Sequence, residues 1–332
     1  MINIVYDNRF KMKHIFQGIL FLWFFIGLSG KTQISVTADV VRIDTLEISS
    51  ASALEKLNDH WFVAGDDAVN VHVLDSNFNL VEKVKVASDK HLLNNRLKKS
   101  KKPDLEAAVV VPWGKDRDVL IFGSGSSSKR RKLIRIDFDN NYDFKVEKYS
   151  LKKLYKIIRK EANISKDELN IEGAALWDGK LVLLNRHNNQ LYTMRFKEFK
   201  RYMKDHDHDK PEISVYNFNL PVLDGNQSGF SGCYVITDLG MLVFTATVEQ
   251  EPDWVNPDEI IGSYIGILDL NELNSATPLC TPVLYHSELF PEKIESIVCT
   301  RHDERQLHLV CITDNDNGDS LLLKVILQKH VE

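Results

Sequence analysis

Five short strings in the 332-residue chain each place a Ser or Glu at an equivalent point among mainly small and apolar residues. They are SSASAL (Ser49–Leu54), LEAAVV (Leu105–Val110), IEGAAL (Ile171–Leu176), FSGCYV (Phe230–Val235) and IESIVC (Ile294–Cys299). The recurring residues are Ser52, Glu106, Glu172, Ser231 and Glu295. Three carboxylates brought to one axis repel one another, so their pKa values rise or a cation sits among them. Hard oxygen donors, with carbonyls and water completing the shell, suit Ca2+ better than zinc or copper. The alternative is that each Glu is satisfied by backbone amides or a basic side chain of a neighbouring segment.

A second set of residues could handle anions. Gly123–Arg131 reads GSGSSSKRR and offers backbone amides, the hydroxyl of Ser124 and the cations of Lys129, Arg130 and Arg131. Such a loop can cradle a phosphate; it can equally be a plain surface turn. It is not a P-loop, because the Gly-Lys-Ser/Thr ending and following helix are missing. Arg186 and His187 could clamp an anion, unless Arg186 is held in an ion pair. Asp66, Asp67, Glu249 and Asp314 are candidate bases or outer ligands, although acids in turns are commonly structural. Thr313–Asp319 has alternate acids like an EF-hand loop but lacks the closing Glu, so it reads as a turn. His206–Asp209 reads as a solvated charge run rather than a metal site. Neither Gly-x-Ser-x-Gly nor His-Glu-x-x-His occurs, which argues against common serine hydrolases and zincins.

The elements that would position these groups follow from the same repetition. After each string comes a polar turn, at Asn58–His60, Gly114–Asp118, Asp178–Lys180, Thr237–Gly240 and His302–Arg305. A strongly apolar strand follows each turn, and then an alternating one. The marker residues recur at intervals of roughly 54 to 66 residues, room for four strands and their loops, which is the signature of a β-propeller. Five such units cover residues 50–330, and the last shows only three strands. Residues 33–48, QISVTADVVRIDTLEI, are expected to supply the missing strand and close the ring. A pair of β-sandwiches is the rival architecture, but five matched hairpins argue against it. One helix is expected, Leu151–Ala162, with Leu151, Leu154, Tyr155, Ile158 and Ala162 on one face, inserted between units two and three. A capped helical turn is expected at Ser165–Leu169. In a propeller, Gly65–Val69, Gly123–Arg131, Asn185–Gln190, Thr245–Ser263 and Thr313–Ser320 would rim the channel mouth.

The order Ser, Glu, Glu, Ser, Glu around five blades resembles the calcium-activated nucleotidases, secreted apyrase-like enzymes. The strings Ser228–Gly232, Asp66-Asp67 and Gly262–Ile265 are also similar. Glu172-Gly173 and Phe122–Gly125 resemble tags of uncharacterised bacterial phytase/esterase-like propellers. The likeness spans about 280 residues as short motifs. It implies a five-bladed propeller that holds Ca2+ in its channel and acts on a phosphate ester. A non-catalytic propeller, binding a small molecule or protein at its mouth around a purely structural ion, stands beside that reading.

Composition sets the limits. With 43% hydrophobic and 27% charged residues the chain is neither disordered nor polytopic, and its net charge of −5 gives no general attraction for nucleic acid. A monomer that binds its ligand without nucleic acid is expected. Residues 15–29, IFQGILFLWFFIGLS, follow Arg9, Lys11, Lys13 and His14 and precede Ser29 and Gly30, the form of a secretory signal. Residues 1–32 are read as that signal, with Met12 a possible start, and residues 33–332 as one propeller domain in the periplasm or outside the cell. The apolar run is short for a membrane span, and an uncleaved anchor is the alternative. Cys233, Cys280, Cys299 and Cys311 are expected to be small buried residues, although Cys299 and Cys311 could lie across a hairpin.

Overall fold

Runs of β-branched and aromatic residues broken by Asn, Asp and Gly fold as short antiparallel strands. The computed structural model describes residues 34–93, 96–98, 100–138, 143–250, 260–314 and 320–331. The apolar run at 15–29 and most of the acidic string 313–319 lie outside them. Strand β1 (Ile34–Leu46) precedes a meander of β2 (Ala51–Leu57), β3 (His60–Gly65), β4 (Asn70–Leu74) and β5 (Leu80–Lys85). After the small hairpin of β6 (Leu92–Leu93) and β7 (Arg96–Leu97) come β8 (Leu105–Val111), β9 (Asp118–Gly123), β10 (Lys132–Phe138) and β11 (Phe144–Ser150). Helix α1 (Lys152–Glu161) leads to β12 (Ile171–Trp177), β13 (Lys180–Asn185) and β14 (Gln190–Arg195), and helix α2 (Phe196–Lys204) leads to β15 (Ser214–Asn217). A second small hairpin, β16 (Val222–Leu223) and β17 (Asn226–Gln227), is followed by β18 (Gly229–Ile236), β19 (Met241–Glu249), β20 (Ile260–Asp269) and β21 (Leu279–Tyr285). The chain ends with β22 (Glu288–Leu289), β23 (Ile294–His302), β24 (Gln306–Thr313) and β25 (Ser320–Val331).

The first strands β2, β8, β12, β18 and β23 are almost wholly buried, whereas the outer strands β5, β11 and β15 are largely exposed. Each first strand packs on the next, β2 on β8, β8 on β12, β12 on β18, β18 on β23, and β23 back on β2. The apolar side chains gather between consecutive meanders. Phe62 and Val71 share one cluster with Ile121 and Ile136, Phe122 with Tyr192, Leu184 with Phe244, Val243 with Leu309, and Val310 with Trp61.

Strand β1 closes the circuit as its sequence suggests. It pairs antiparallel with β25 from Ile34 opposite Val331 to Leu46 opposite Ser320. It also touches β21 in parallel, at Ala38–Val283 and Asp39–Leu284. The tight turns use residues that tolerate the left-handed region: Asn58 sits at φ 54°, and Asp178-Gly179 form a two-residue hairpin loop at φ 45° and 68°.

Two expectations need correction. Only one helix is expected, yet a second, α2, begins at Phe196 directly after β14. Phe196, Phe199, Tyr202 and Met203 recur at helical spacing and are buried on Trp113 and Phe122, which ends the strand. Ser165–Leu169 is a turn rather than a helix, although the Ser165 amide donates to the Glu168 carboxylate at 2.7 Å as in a capping box. The cysteines are free as expected, buried at Cys233, Cys299 and Cys311 and half-buried at Cys280; Cys299 pairs with Leu309, and Cys311 with Ile297, so those two are out of step across their hairpin.

Candidate functional site

The five marker residues occupy one structural position. Near the start of every first strand the pairing to the second strand skips a single residue; β23 has a further skip at Thr300. The residues skipped near the start are Ser52, between Ala51 and Ala53, Glu106, Glu172, Ser231 and Glu295. A bulge of this kind re-aims the extra side chain and is common beside active sites.

Two further layers follow from these bulges. Two residues before them stand Ser50, Asp104, Asn170, Gly229 and Lys293, and at or just beyond the ends of the second strands stand Asp66, Ser124, Arg186, Glu249 and Asp314. Main-chain bonds hold the layers together: Asp66 N–H to Ser50 O (3.0 Å), Ser124 to Asp104 (2.9 Å), Arg186 to Asn170 (2.9 Å) and Asp314 to Lys293 (3.1 Å). The links continue between meanders, from Asp104 N–H to Asp66 O (2.9 Å) and from Ile171 N–H to Ser124 O (2.8 Å).

The charges in this mouth are buried and unequal. Lys102 sits between Asp66 and Asp104, 3.0 Å from the latter, and Arg130 reaches Asp104 at 2.9 Å. Arg96 binds Asp67 at 2.6 Å and the Ser50 hydroxyl at 2.7 Å. Arg186 pairs with Glu249 at 2.9 Å, and Lys293 bridges Glu249 (3.1 Å) and Glu295 (3.0 Å). Glu172 accepts from the Asn170 amide at 2.5 Å. Glu106 has neither hydrogen bond nor ion pair among the described residues. One carboxylate oxygen each of Asp66, Asp67 and Glu295 is buried with no hydrogen-bond partner.

Burial is the main force on these acids. It lifts Glu106 well above the carboxylate range, helped by Glu172, Asp104, Asp66 and Glu295. It lifts Glu172 to about 8 against the pull of Arg186. Glu295 and Asp66 rise for the same reason, opposed by Lys293 and Lys102 respectively.

The residues fit a hard cation. Carboxylate oxygens of Asp66, Asp104 and Glu106 lie within 4.8 Å of one another, the spread of ligands sharing one ion with metal–oxygen distances of roughly 2.3–2.6 Å. Glu106, Glu172 and Glu295 do not gather that closely, although each is felt by the others. The Ser52 hydroxyl donates to Ser50 O (3.1 Å) and the Ser231 hydroxyl to Ile294 O (2.6 Å); Ser231 Oγ also meets the Thr245 hydroxyl at 3.0 Å, which leaves at least one lone pair on each serine oxygen. Beside them opens a polar hollow of about 400 Å3 lined by Asn170, Arg186, His187, Gln227, Ser228 and Glu249. A larger one of about 720 Å3 lies away from the carboxylates, between β1 and β4.

The Gly-Ser loop divides its residues. Ser124 and Arg130 are engaged by Asp104, and Lys129 donates to the Ser100 carbonyl at 2.8 Å on the surface. Arg131 points instead to Gly125 O, at 3.2 Å. Sequence reading overlooked Asp104, Lys102, Lys293, Asn170 and Arg96. Asp104, Asn170 and Lys293 carry a legible signal, since residues two apart on an extended chain share a face. Lys102 and Arg96 come from a loop and a short hairpin and leave no such trace. His206–Asp209 stays at the surface, with His208 4.0 Å from Asp205.

A family model described as a family of unknown function, DUF6929, matches residues 47–327. The chain belongs to that family. The match begins just before the first bulge and reaches into β25, so it takes in all five marker positions. No curated protein matches the sequence. Among solved structures, the chain is similar to glutaminyl cyclase of Myxococcus xanthus, at 11% identity and a TM-score of 0.47, over 90% of this chain and 99% of that one. It is similar to the PQQ-bound aldose sugar dehydrogenase of Streptomyces coelicolor, at 12% identity and a TM-score of 0.45, over 89% and 99%. For an inactive virginiamycin B lyase from Staphylococcus aureus with quinupristin, the values are 9%, 0.37, 88% and 99%. Likeness at this level carries no function. Among the described residues no helix is long and apolar enough to cross a membrane.

Proposed function

We propose that this chain is an exported five-bladed β-propeller that holds a calcium ion among the carboxylates of its channel mouth and receives a polar ligand there. The observation that carries the reading is the charge imbalance. Among the described residues, seven acids (Asp66, Asp67, Asp104, Glu106, Glu172, Glu249 and Glu295) share five basic partners, Arg96, Lys102, Arg130, Arg186 and Lys293. Unpaired buried carboxylates are costly, and a divalent cation offsets the two surplus charges. Glu106 and the free oxygen of Asp66, beside Asp104, are the natural ligands. Ser52, Glu172, Ser231 and Glu295, on equivalent bulges, would face the same ion through water. An ion held between meanders stabilises the folded state by mass action.

A second reading makes the site a phosphoester hydrolase, in line with the resemblance to calcium-activated nucleotidases. The polar hollow favours it, since Arg186 and His187 line that space together with Asn170, which donates to Glu172. The ion would orient phosphoryl oxygens and Arg186 would offset developing charge. The cost is that Arg186 must leave Glu249. Calcium titration by calorimetry tests the ion: absence of saturable binding at neutral pH ends the first reading. A panel of nucleotides, inositol phosphates and aryl phosphates, with calcium and with chelator, tests the second, and inactivity throughout ends it. Export is tested by intact mass, since secreted material should begin near residues 30–34.

A further inference from the structure

We propose that Arg131 and Arg159 form an oxyanion site, shaped for a phosphate dianion, on the side of the Gly-Ser loop turned away from the carboxylate mouth. The site does not rest on the cation reading. At the turn Ser128–Arg130 consecutive arginines take different partners. Arg130 enters the mouth and meets Asp104, while Arg131 donates to Gly125 O and lies near Arg159 and Tyr155 of α1. The buried arginines elsewhere are neutralised, Arg96 by Asp67, Arg135 by Asp118 and Arg186 by Glu249. Arg131 and Arg159 are both partly buried, and neither meets a carboxylate among the described residues.

Their hydrogen bonds account for only part of each guanidinium. Arg131 Nε donates to Gly125 O at 3.2 Å, and Arg159 Nε to Tyr155 O at 3.3 Å. One terminal nitrogen of Arg131 is buried with no acceptor. A buried charged donor left unmade is expensive, and a like charge beside it adds to the expense. Burial and the neighbouring Arg159 together hold Arg131 below the usual guanidinium range. An oxyanion between the two forks relieves both penalties at once.

The frame around the pair is rigid. The Tyr155 phenol donates to Gly123 O at 2.6 Å, and its ring fills the space a side chain at Gly125 would need. The Leu151 amide donates to Arg131 O at 2.9 Å, which ties the start of α1 to the loop. Helix α1 carries Lys152, Lys153, Lys156, Arg159 and Lys160 against the single acid Glu161, in a protein of net negative charge. Glu168, beyond the helix, is taken up by the Ser165 amide and Asn188. Two guanidiniums and flanking ammonium groups match the charge of a phosphomonoester better than that of a single carboxylate.

Titration of the full chain with inorganic phosphate at low ionic strength, in chelator, tests the site. Arginine Nε–H signals report it by NMR, and melting temperature reports it independently. In wild type, two Nε–H signals should move together and saturate, and phosphate should raise the melting temperature. In R131Q and R159Q, affinity should fall at least tenfold and the thermal shift should vanish, while K129Q behaves as wild type. Without phosphate, R159Q should melt at or above wild type, because a repelling charge is gone; a marked drop would mean a structural role and overturn the proposal. Absence of saturation in wild type, or unchanged binding in the double variant, also overturns it. Glycerol 3-phosphate and phosphatidylcholine vesicles doped with phosphatidic acid separate the sources. Displacement of phosphate by the first alone indicates a soluble phosphoester, and arginine-dependent vesicle retention indicates a lipid headgroup. Vesicle binding that persists in the double variant, without saturable phosphate binding, overturns the site.

Discussion

Changing Glu172 to Gln keeps the shape of the side chain, and its carbonyl can still accept from Asn170, so the substitution isolates one charge. Without a metal, burial holds this carboxyl near 8 rather than 4.5. The folded state therefore binds a proton that the unfolded chain releases above pH 4.5. Stability is full at low pH and falls as pH climbs towards 8. At pH 7 the loss is about 3 kcal/mol, at roughly 1.36 kcal/mol per pH unit. Gln escapes it, so E172Q in chelator should be up to about 3 kcal/mol more stable than wild type, a rise of several degrees in Tm. Calcium at a thousandfold excess over Kd adds about 4.1 kcal/mol to wild type and much less to the variant, so the order should reverse. Four melts, each protein in calcium and in chelator, supply the measurement. If Glu172 is instead satisfied by protein groups, Gln will be less stable in both buffers and calcium will change neither curve, which refutes the cation reasoning.

Glu55 offers a pH test apart from the mouth: its carboxylate accepts from the Lys56 and Val110 amides, yet burial lifts it to about 7. In saturating calcium, wild type should lose about 3 kcal/mol between pH 4.5 and 7, and E55Q should show a flatter profile in chemical denaturation at each pH. A methyl group at Gly232 would fall 2.6 Å from Glu295 O and 2.8 Å from Ser296 Cα, main-chain atoms of the next first strand. G232A should therefore cost about 3 kcal/mol, read by urea unfolding, and should weaken the calcium shift through Glu295. Deleting residues 34–46 uncovers the full length of β25, so the shortened chain should aggregate, as size-exclusion chromatography would show.

The meanders were legible because each depends on local chemistry, such as Asp178-Gly179 forcing a hairpin and alternation fixing which face is buried. The equivalence of Ser52, Glu106, Glu172, Ser231 and Glu295 was legible because a bulge needs the same small neighbours each time. The partners were not. Arg130 and Arg131 are adjacent and alike in type, and only the turn at Ser128–Arg130 decides that one meets Asp104 and the other Gly125. Lys102 and Arg96 reach the mouth from the segment between β5 and β8, where no periodicity marks direction. Helix α2 was hidden because the Phe that completes the strand pattern also starts a helical one, and only the apolar surface around Trp113 decides between them.

The pairing of β1 with β25 has a consequence for how the molecule is made. Strand β1 emerges before the other described strands and waits for β25, because Ile34 finds Val331 and Leu46 finds Ser320 only once β25 has been made. Until then β1 has just the two-residue contact with β21, which itself arrives late. The earlier meanders can form in turn, yet Glu295, on β23, reaches the mouth only after Glu106 and Glu172 have been made. On the export and cation readings proposed above, an ion site there would come into being only on the far side of the membrane, in a single late step.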